Sequence, residues 1–175
     1  EDISLMAWSD AYRLALTRNN IGVFSIARTP EREELFTWVG PLMQCPLVLF
    51  AENESLKTTR PDNKDLRAVA IRDDIGIYIG KEAGIPEENI FQVTTPAEAV
   101  QHLIDGISDV WIYGQYPGES IIQTIAEAPD SFFILEDLGR FTYYIAFNPN
   151  SNPEVIEVLQ AELDAMKKDR KDEGI

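Results

Sequence analysis

The sequence predicts an α/β fold with mostly parallel sheets. Two observations carry that prediction. Apolar runs of strand length, such as Val48-Leu49-Phe50 and Val69-Ala70-Ile71, alternate along the chain with longer amphipathic segments. Helix-start signals recur between them. Thr29-Pro30, Thr95-Pro96 and Asn152-Pro153 each set a capping residue before a proline, which suits the first helical position.

In chain order, residues 3–7 read as a strand. Ser9 then caps a helix through Arg18, with Ala11, Leu14 and Ala15 on one face. Residues 21–27 form the next strand. Thr29-Pro30 opens a short acidic helix, and residues 38–39 and 47–51 follow as separate extended segments. Residues 52–64 are polar without periodicity, and Pro61-Asp62-Asn63 signals a turn. Strands are predicted at 67–71, 90–93, 109–113, 132–135 and 141–147. The helices between them start at Asp73 or Asp74, at the capping box Thr95-Pro96-Ala97-Glu98, and at Pro117-Gly118. A last helix starts at Pro153, with Val155, Val158, Leu159 and Leu163 as its apolar stripe.

Composition narrows the function. The chain has 175 residues and a net charge of −15, with no basic stripe, which argues against nucleic acid and against an anionic membrane surface. No apolar run reaches membrane-spanning length, so direct membrane insertion is not expected. One cysteine, Cys45, and one histidine, His102, cannot build a structural zinc site. Cys45 reads as a buried thiol in an apolar stretch, and no cofactor is expected. Gly76, Gly80 and Gly84 recur every four residues within a helix. They lack the turn position and the following Lys-Ser or Lys-Thr of a phosphate loop, so close helix-on-sheet packing is their expected role. No Gly-x-Ser-x-Gly elbow occurs, and the pairs Glu33-Glu34 and Glu87-Glu88 diverge on a helix instead of forming an acid/base dyad.

Arg32 stands out, because a cation in the first turn of a helix opposes the dipole. It either holds an anion in its guanidinium fork or pairs with a neighbouring glutamate. Asp73 and Asp74 directly follow a strand, where open α/β sheets bind ligands, although helix capping accounts for one of them. Trp8, Trp111 and Tyr113 are either core residues or stacking platforms.

The segment Thr29-x-x-Arg32…Phe36…Pro41 resembles the matching segment of bacterial extracellular solute-binding proteins, the group that includes the polar amino-acid receptors of ABC importers. Residues 48–50, 66–74, 95–100, 105–111 and 143–150 resemble further family segments in the same order. The resemblance implies a two-lobed periplasmic-binding-protein-like fold. Lobe 1 would comprise residues 1–51 and 140–175, lobe 2 residues 66–137, and crossing segments residues 52–65 and 138–139. It implies that the first lobe is incomplete, lacking its first strand and helix, and that the chain is trimmed at both ends. An exposed apolar patch there would favour self-association.

The resemblance also implies a function. A small polar, carboxylate-bearing, amino-acid-like ligand would be captured between two lobes, and lobe closure would be read by the membrane permease of an ABC importer. The location would be periplasmic, although no signal peptide is present in the chain. Arg32 would grip the carboxylate, with Ser25, Ala27 and Arg28 beside it. Arg72, Asp73, Asp74, Tyr113, Gly114 and Gln115 would close from the second lobe. The family usually places an aspartate near the Gly114 position to hold an α-amino group, and Ala27 and Arg28 also depart from its pattern. The implied protein is not an enzyme. Two alternatives stay open: the sensing domain of a membrane receptor such as a histidine kinase, and a dehydratase-like enzyme on the same fold.

Overall fold

The computed structural model describes residues 3–172. Helix α1 (Trp8–Thr17) leads into strand β1 (Gly22–Ala27), a 3-10 helix at Pro30–Leu35 and the long strand β2 (Thr37–Ala51). Two short 3-10 turns precede β3 (Ala68–Ile71), α2 (Ile75–Glu82), β4 (Ile90–Val93), α3 (Pro96–Ile104), β5 (Val110–Gly114) and α4 (Gln115–Ile125). The chain ends with the long strand β6 (Phe133–Phe147) and α5 (Pro153–Asp172). Among the described residues the strands form one six-stranded sheet in the order β1-β6-β2-β5-β3-β4. β3 runs parallel to β4 and β5, β5 antiparallel to β2, and β1 antiparallel to β6.

The chain folds into two compact units. One comprises Glu1–Asp10 and Cys45–Phe141; the other comprises Ala11–Gln44 and Thr142–Ile175. The passages from one unit to the other fall inside α1, β2 and β6, so each long strand contributes to both.

In the first unit the core is built around Val48, Phe50, Val69, Val100, Leu103, Trp111 and Ile122, with Trp8 packed against it. Each large apolar side chain removed from water there contributes roughly 1.5–3 kcal/mol. The expected packing role is visible at Gly76 and Gly80 of α2 but not at Gly84, which lies past the helix at φ +89° with nothing within 4 Å of where a Cβ would stand. A Cβ at Gly76 would meet the Ile112 carbonyl oxygen at 2.9 Å, and one at Gly80 would collide with the Ile112 side chain. α2 can therefore lie directly on β5 only without those side chains. Asp74 caps its start, and the Asn63 amide donates to the Ala83 carbonyl (2.8 Å) at its end. α3 carries the full capping box, with Thr95 and Glu98 each bonding the other's backbone. The Arg67 guanidinium donates twice to the Asp109 carboxylate (3.2 and 2.7 Å), fastening the starts of β3 and β5.

In the second unit polar ties fix the ends of the elements. The Asn148 amide donates to the Leu16 carbonyl (2.7 Å), and the Asn20 backbone N–H donates to Ser151 Oγ (2.9 Å). The Gln160 amide of α5 makes a reciprocal pair of bonds with the Gly40 backbone (2.9 and 3.1 Å).

Several sequence expectations are corrected. Residues 3–7 are not a strand. Ile3 and Leu5 are 78% and 101% exposed, so the apolar alternation there has no sheet to join. The segments at 38–39 and 47–51 are one strand, because Pro41 and Pro46 lie within β2 without breaking it. The segments at 132–135 and 141–147 likewise merge into β6, which runs through Gly139. The acidic helix after Thr29 is a 3-10 helix. Thr29 sits at its N-cap in an extended conformation, yet its side chain makes no capping bond. α4 begins at Gln115, ahead of the predicted Pro117, and ends at Ile125.

Candidate functional site

β1 delivers the first candidate group. Its last residue, Ala27, is buried, and the chain then turns through Thr29 into the 3-10 helix that carries Arg32. Arg32 is only 9% exposed. Its backbone N–H donates to the Thr29 carbonyl (3.0 Å), and its Nη1 reaches back to donate to the Ala27 carbonyl (3.2 Å). The guanidinium carbon lies 5.2 Å from the centre of the Tyr12 ring, on α1. A backbone carbonyl and an aromatic face thus both meet this cation in a buried turn. Thr29 Oγ1, on the residue that opens the same turn, is buried and makes no hydrogen bond among the described residues. A buried hydroxyl without a partner is costly, and it is the kind of group a bound oxygen atom would satisfy.

Arg28 and Ser25 are placed differently. Arg28 is partly exposed, and its fork bonds Glu33 through Nε (2.7 Å) and Nη2. The Glu33 hydrogen bond raises the Arg28 pKa, and the same bond holds the Glu33 carboxyl below its ordinary range. Glu33, one of the glutamates next to Arg32 in sequence, is thus paired with Arg28. Ser25 is exposed, at the point where the β1–β6 register shifts between Val23 and Ile26.

The remaining candidates belong to the first unit, at the carboxyl ends of β3 and β5. Arg72 and Asp73 are exposed; the Arg72 backbone N–H donates to the Val93 carbonyl (2.9 Å), and Asp73 adopts φ +62°. Asp74 spends one carboxylate oxygen on the Ile75 N–H (2.8 Å). Tyr113 is partly buried, and its phenol is pushed up to about 12, first by burial and then by the charges of Asp74 and Cys45. Gln115 donates to Glu119 (2.9 Å) one turn along α4. Gly114 is buried, and a Cβ there would sit 3.1 Å from Pro117 Cγ and 3.4 Å from Cys45 Sγ. A side chain at this position would therefore crowd Pro117 and lie against Cys45. Trp111 is fully buried and part of the core.

Sequence reasoning passed over Tyr12, Trp38 and Tyr144. The signal for Trp38 was the alternation Phe36-x-Trp38, which sets two aromatics on one side of an extended chain. Tyr12, Phe36, Trp38 and Tyr144 form a run of edge-on ring contacts with centroids 5.6, 5.6 and 5.9 Å apart.

The fold matches known structures along nearly its whole length. The sensor domain of a histidine kinase with similarity to periplasmic binding proteins superposes with a TM-score of 0.78 at 17% identity, over 96% of this chain and 73% of that one. The fold is that of the periplasmic binding proteins. An ArgBP variant from T. maritima matches this periplasmic-binding-protein fold with a TM-score of 0.78 at 20% identity, over 97% of this chain and 73% of that one. The amino-acid ABC transporter substrate-binding protein AbpA from Streptococcus pneumoniae, bound to L-arginine, matches at 0.76 and 15% identity, over 96% and 71%. No protein-family model matches the chain, and no curated protein matches it. Among the described residues no helix is long and apolar enough to cross a membrane, and no cluster of three acidic, histidine or cysteine side chains is placed to hold a metal ion.

Proposed function

We propose that the chain is a solute-binding domain whose ligand is a small amino-acid-like molecule, anchored through its carboxylate by Arg32. The observation that carries this reading is that one short turn holds both the buried Arg32 and the buried, unpartnered hydroxyl of Thr29. A carboxylate accepts from an arginine fork and from a hydroxyl at once, and in a buried turn such charge-assisted bonds are strong. Ser25 and the backbone near Ala27 complete this anchor. Asp73 and Asp74, with Arg72, Tyr113, Gly114 and Gln115, are assigned to the rest of the ligand, the two carboxylates favouring a cationic group. The domain acts by binding, without turnover. The ABC-importer role, with a periplasmic location and a membrane permease as partner, is supported by AbpA, an amino-acid ABC transporter substrate-binding protein of the same fold. The second reading, a receptor's sensing domain, is supported by the kinase sensor domain, whose TM-score of 0.78 equals that of ArgBP.

Calorimetric titration with L-arginine and with agmatine, its decarboxylated counterpart, tests the anchor. L-Arginine is expected to bind and agmatine to bind far more weakly. Arg32→Ala is expected to weaken L-arginine by roughly a hundredfold, as the loss of a charge-assisted pair of bonds. Equal affinity of the wild-type chain for both compounds would overturn the carboxylate assignment.

A further inference from the structure

The fork of Arg28 is spent on the protein itself, and its surroundings explain why. Its guanidinium carbon lies 5.4 Å from the centre of the Trp38 ring and 5.4 Å from that of Tyr144, while two of its nitrogens bond Glu33. Glu33 is fixed from a third direction, because its backbone carbonyl accepts from Trp38 Nε1 (3.2 Å). Tyr144 is fixed in turn: a Cβ at Gly40 would collide with its ring. Glu33, Trp38 and Tyr144 thus form a guanidinium box with two aromatic faces and one carboxylate, filled by the chain's own arginine. An ordinary exposed ion pair contributes little, since two mobile side chains must be ordered for one screened contact. Here the fork geometry and both ring faces are already in place.

The box straddles Arg32 in sequence. Arg28 lies just before the 3-10 helix Pro30–Leu35 and Glu33 within it, so their bond closes the turn that presents Arg32. That turn has no side-chain cap of its own at Thr29. We infer that Arg28 is a positioning residue: by filling the Glu33–Trp38–Tyr144 box it clamps the Thr29–Leu35 turn and holds Arg32 in place. The consequence for ligand affinity rests on the proposed anchor. The clamp itself does not.

The test reads hydrogen exchange at the Arg32 amide, which is bonded to Thr29, and L-arginine affinity by calorimetry. In Arg28→Ala the Arg32 amide is expected to exchange about tenfold faster, while amides of β3 and β5 keep their protection. Millimolar methylguanidinium chloride is expected to refill the box and restore protection, and sodium chloride at equal concentration is not. Arg28→Lys stays loose, because an ammonium cannot reproduce the fork. Glu33→Gln keeps the side-chain shape and gives an intermediate loss, which preserves the test if Arg28→Ala folds poorly. Unchanged exchange in both Arg28→Ala and Glu33→Gln overturns the clamp. So does equal restoration by both salts, or full protection in Arg28→Lys. If exchange behaves as expected while Arg32→Ala leaves L-arginine affinity unchanged, the clamp stands and the carboxylate anchor falls.

Discussion

Tyr113 lies flat against Trp111, with ring centroids 4.5 Å apart and planes 16° from parallel. The two residues alternate on β5 and share one face of it, and Trp111 is fully buried. Stacking and burial remove the phenol from water, and nearby Asp74 opposes a second negative charge. Tyr113 is therefore expected to resist ionisation up to about 12, against an ordinary 10. The sign follows from proton counting. Between those two values the unfolded chain has released the proton and the folded chain has not, so folding stability falls as the pH rises through this window. Ultraviolet titration of wild type against Tyr113→Phe checks it, with the late tyrosinate step absent in the variant. Asp74→Asn should lower that step part of the way only, since burial is the larger cause.

The Arg28–Glu33 pair predicts an acid-sensitive turn. Glu33 is held below its ordinary 4.5, chiefly by the hydrogen bond from Arg28. The folded form therefore favours the carboxylate. The contribution is complete above 4.5 and is lost as the pH falls through the lowered value. The indole N–H resonance of Trp38, which donates to the Glu33 carbonyl, should shift in that acid range and stop doing so in Glu33→Gln.

Gly114→Asp is expected to destabilise the fold by about 1–3 kcal/mol, as overpacking does. The new Cβ would press on Pro117, a ring that cannot swing aside as the end of a long side chain would, and would already touch Cys45. Urea unfolding measures the loss. A variant as stable as wild type would mean that Pro117 moves without cost.

Thr95→Ala removes one half of the capping box of α3 and should cost about 1 kcal/mol. Because α3 packs Ala99, Val100 and Leu103 into the core, the loss should appear in global thermal unfolding and not as local fraying alone.

Much of this fold is written locally. The capping box at Thr95, the cap at Asp74 and the packing glycines Gly76 and Gly80 act over a few residues, so pattern and spacing expose them. The long strands are not local objects. β2 keeps going through Pro41 and Pro46 because its neighbours β5 and β6 supply the ladder, and the apolar alternation at 3–7 fails for want of such a neighbour. The site divides in the same way. Arg32 stands out in the sequence as a cation in an expected first helical turn, but the observed 3-10 helix is so short that it falls in the last turn. Its contact Tyr12 is twenty residues away in sequence, on another element, and nothing in local chemistry points from one to the other. The role of Arg28 was hidden because its box is assembled from β2 and β6.

The division inside β2 and β6 also sets an order of events during synthesis. The unit that carries Arg32 is made of Ala11–Gln44 and Thr142–Ile175, and everything between Cys45 and Phe141 must leave the ribosome before its halves can meet. Until then β1 lacks β6, its one sheet neighbour among the described residues, and stands as an unpaired edge, open to pairing with other chains. The other unit can complete its parallel β3–β4–β5 core from one continuous stretch of chain. The unit that carries the proposed anchor is thus the later of the two to be completed.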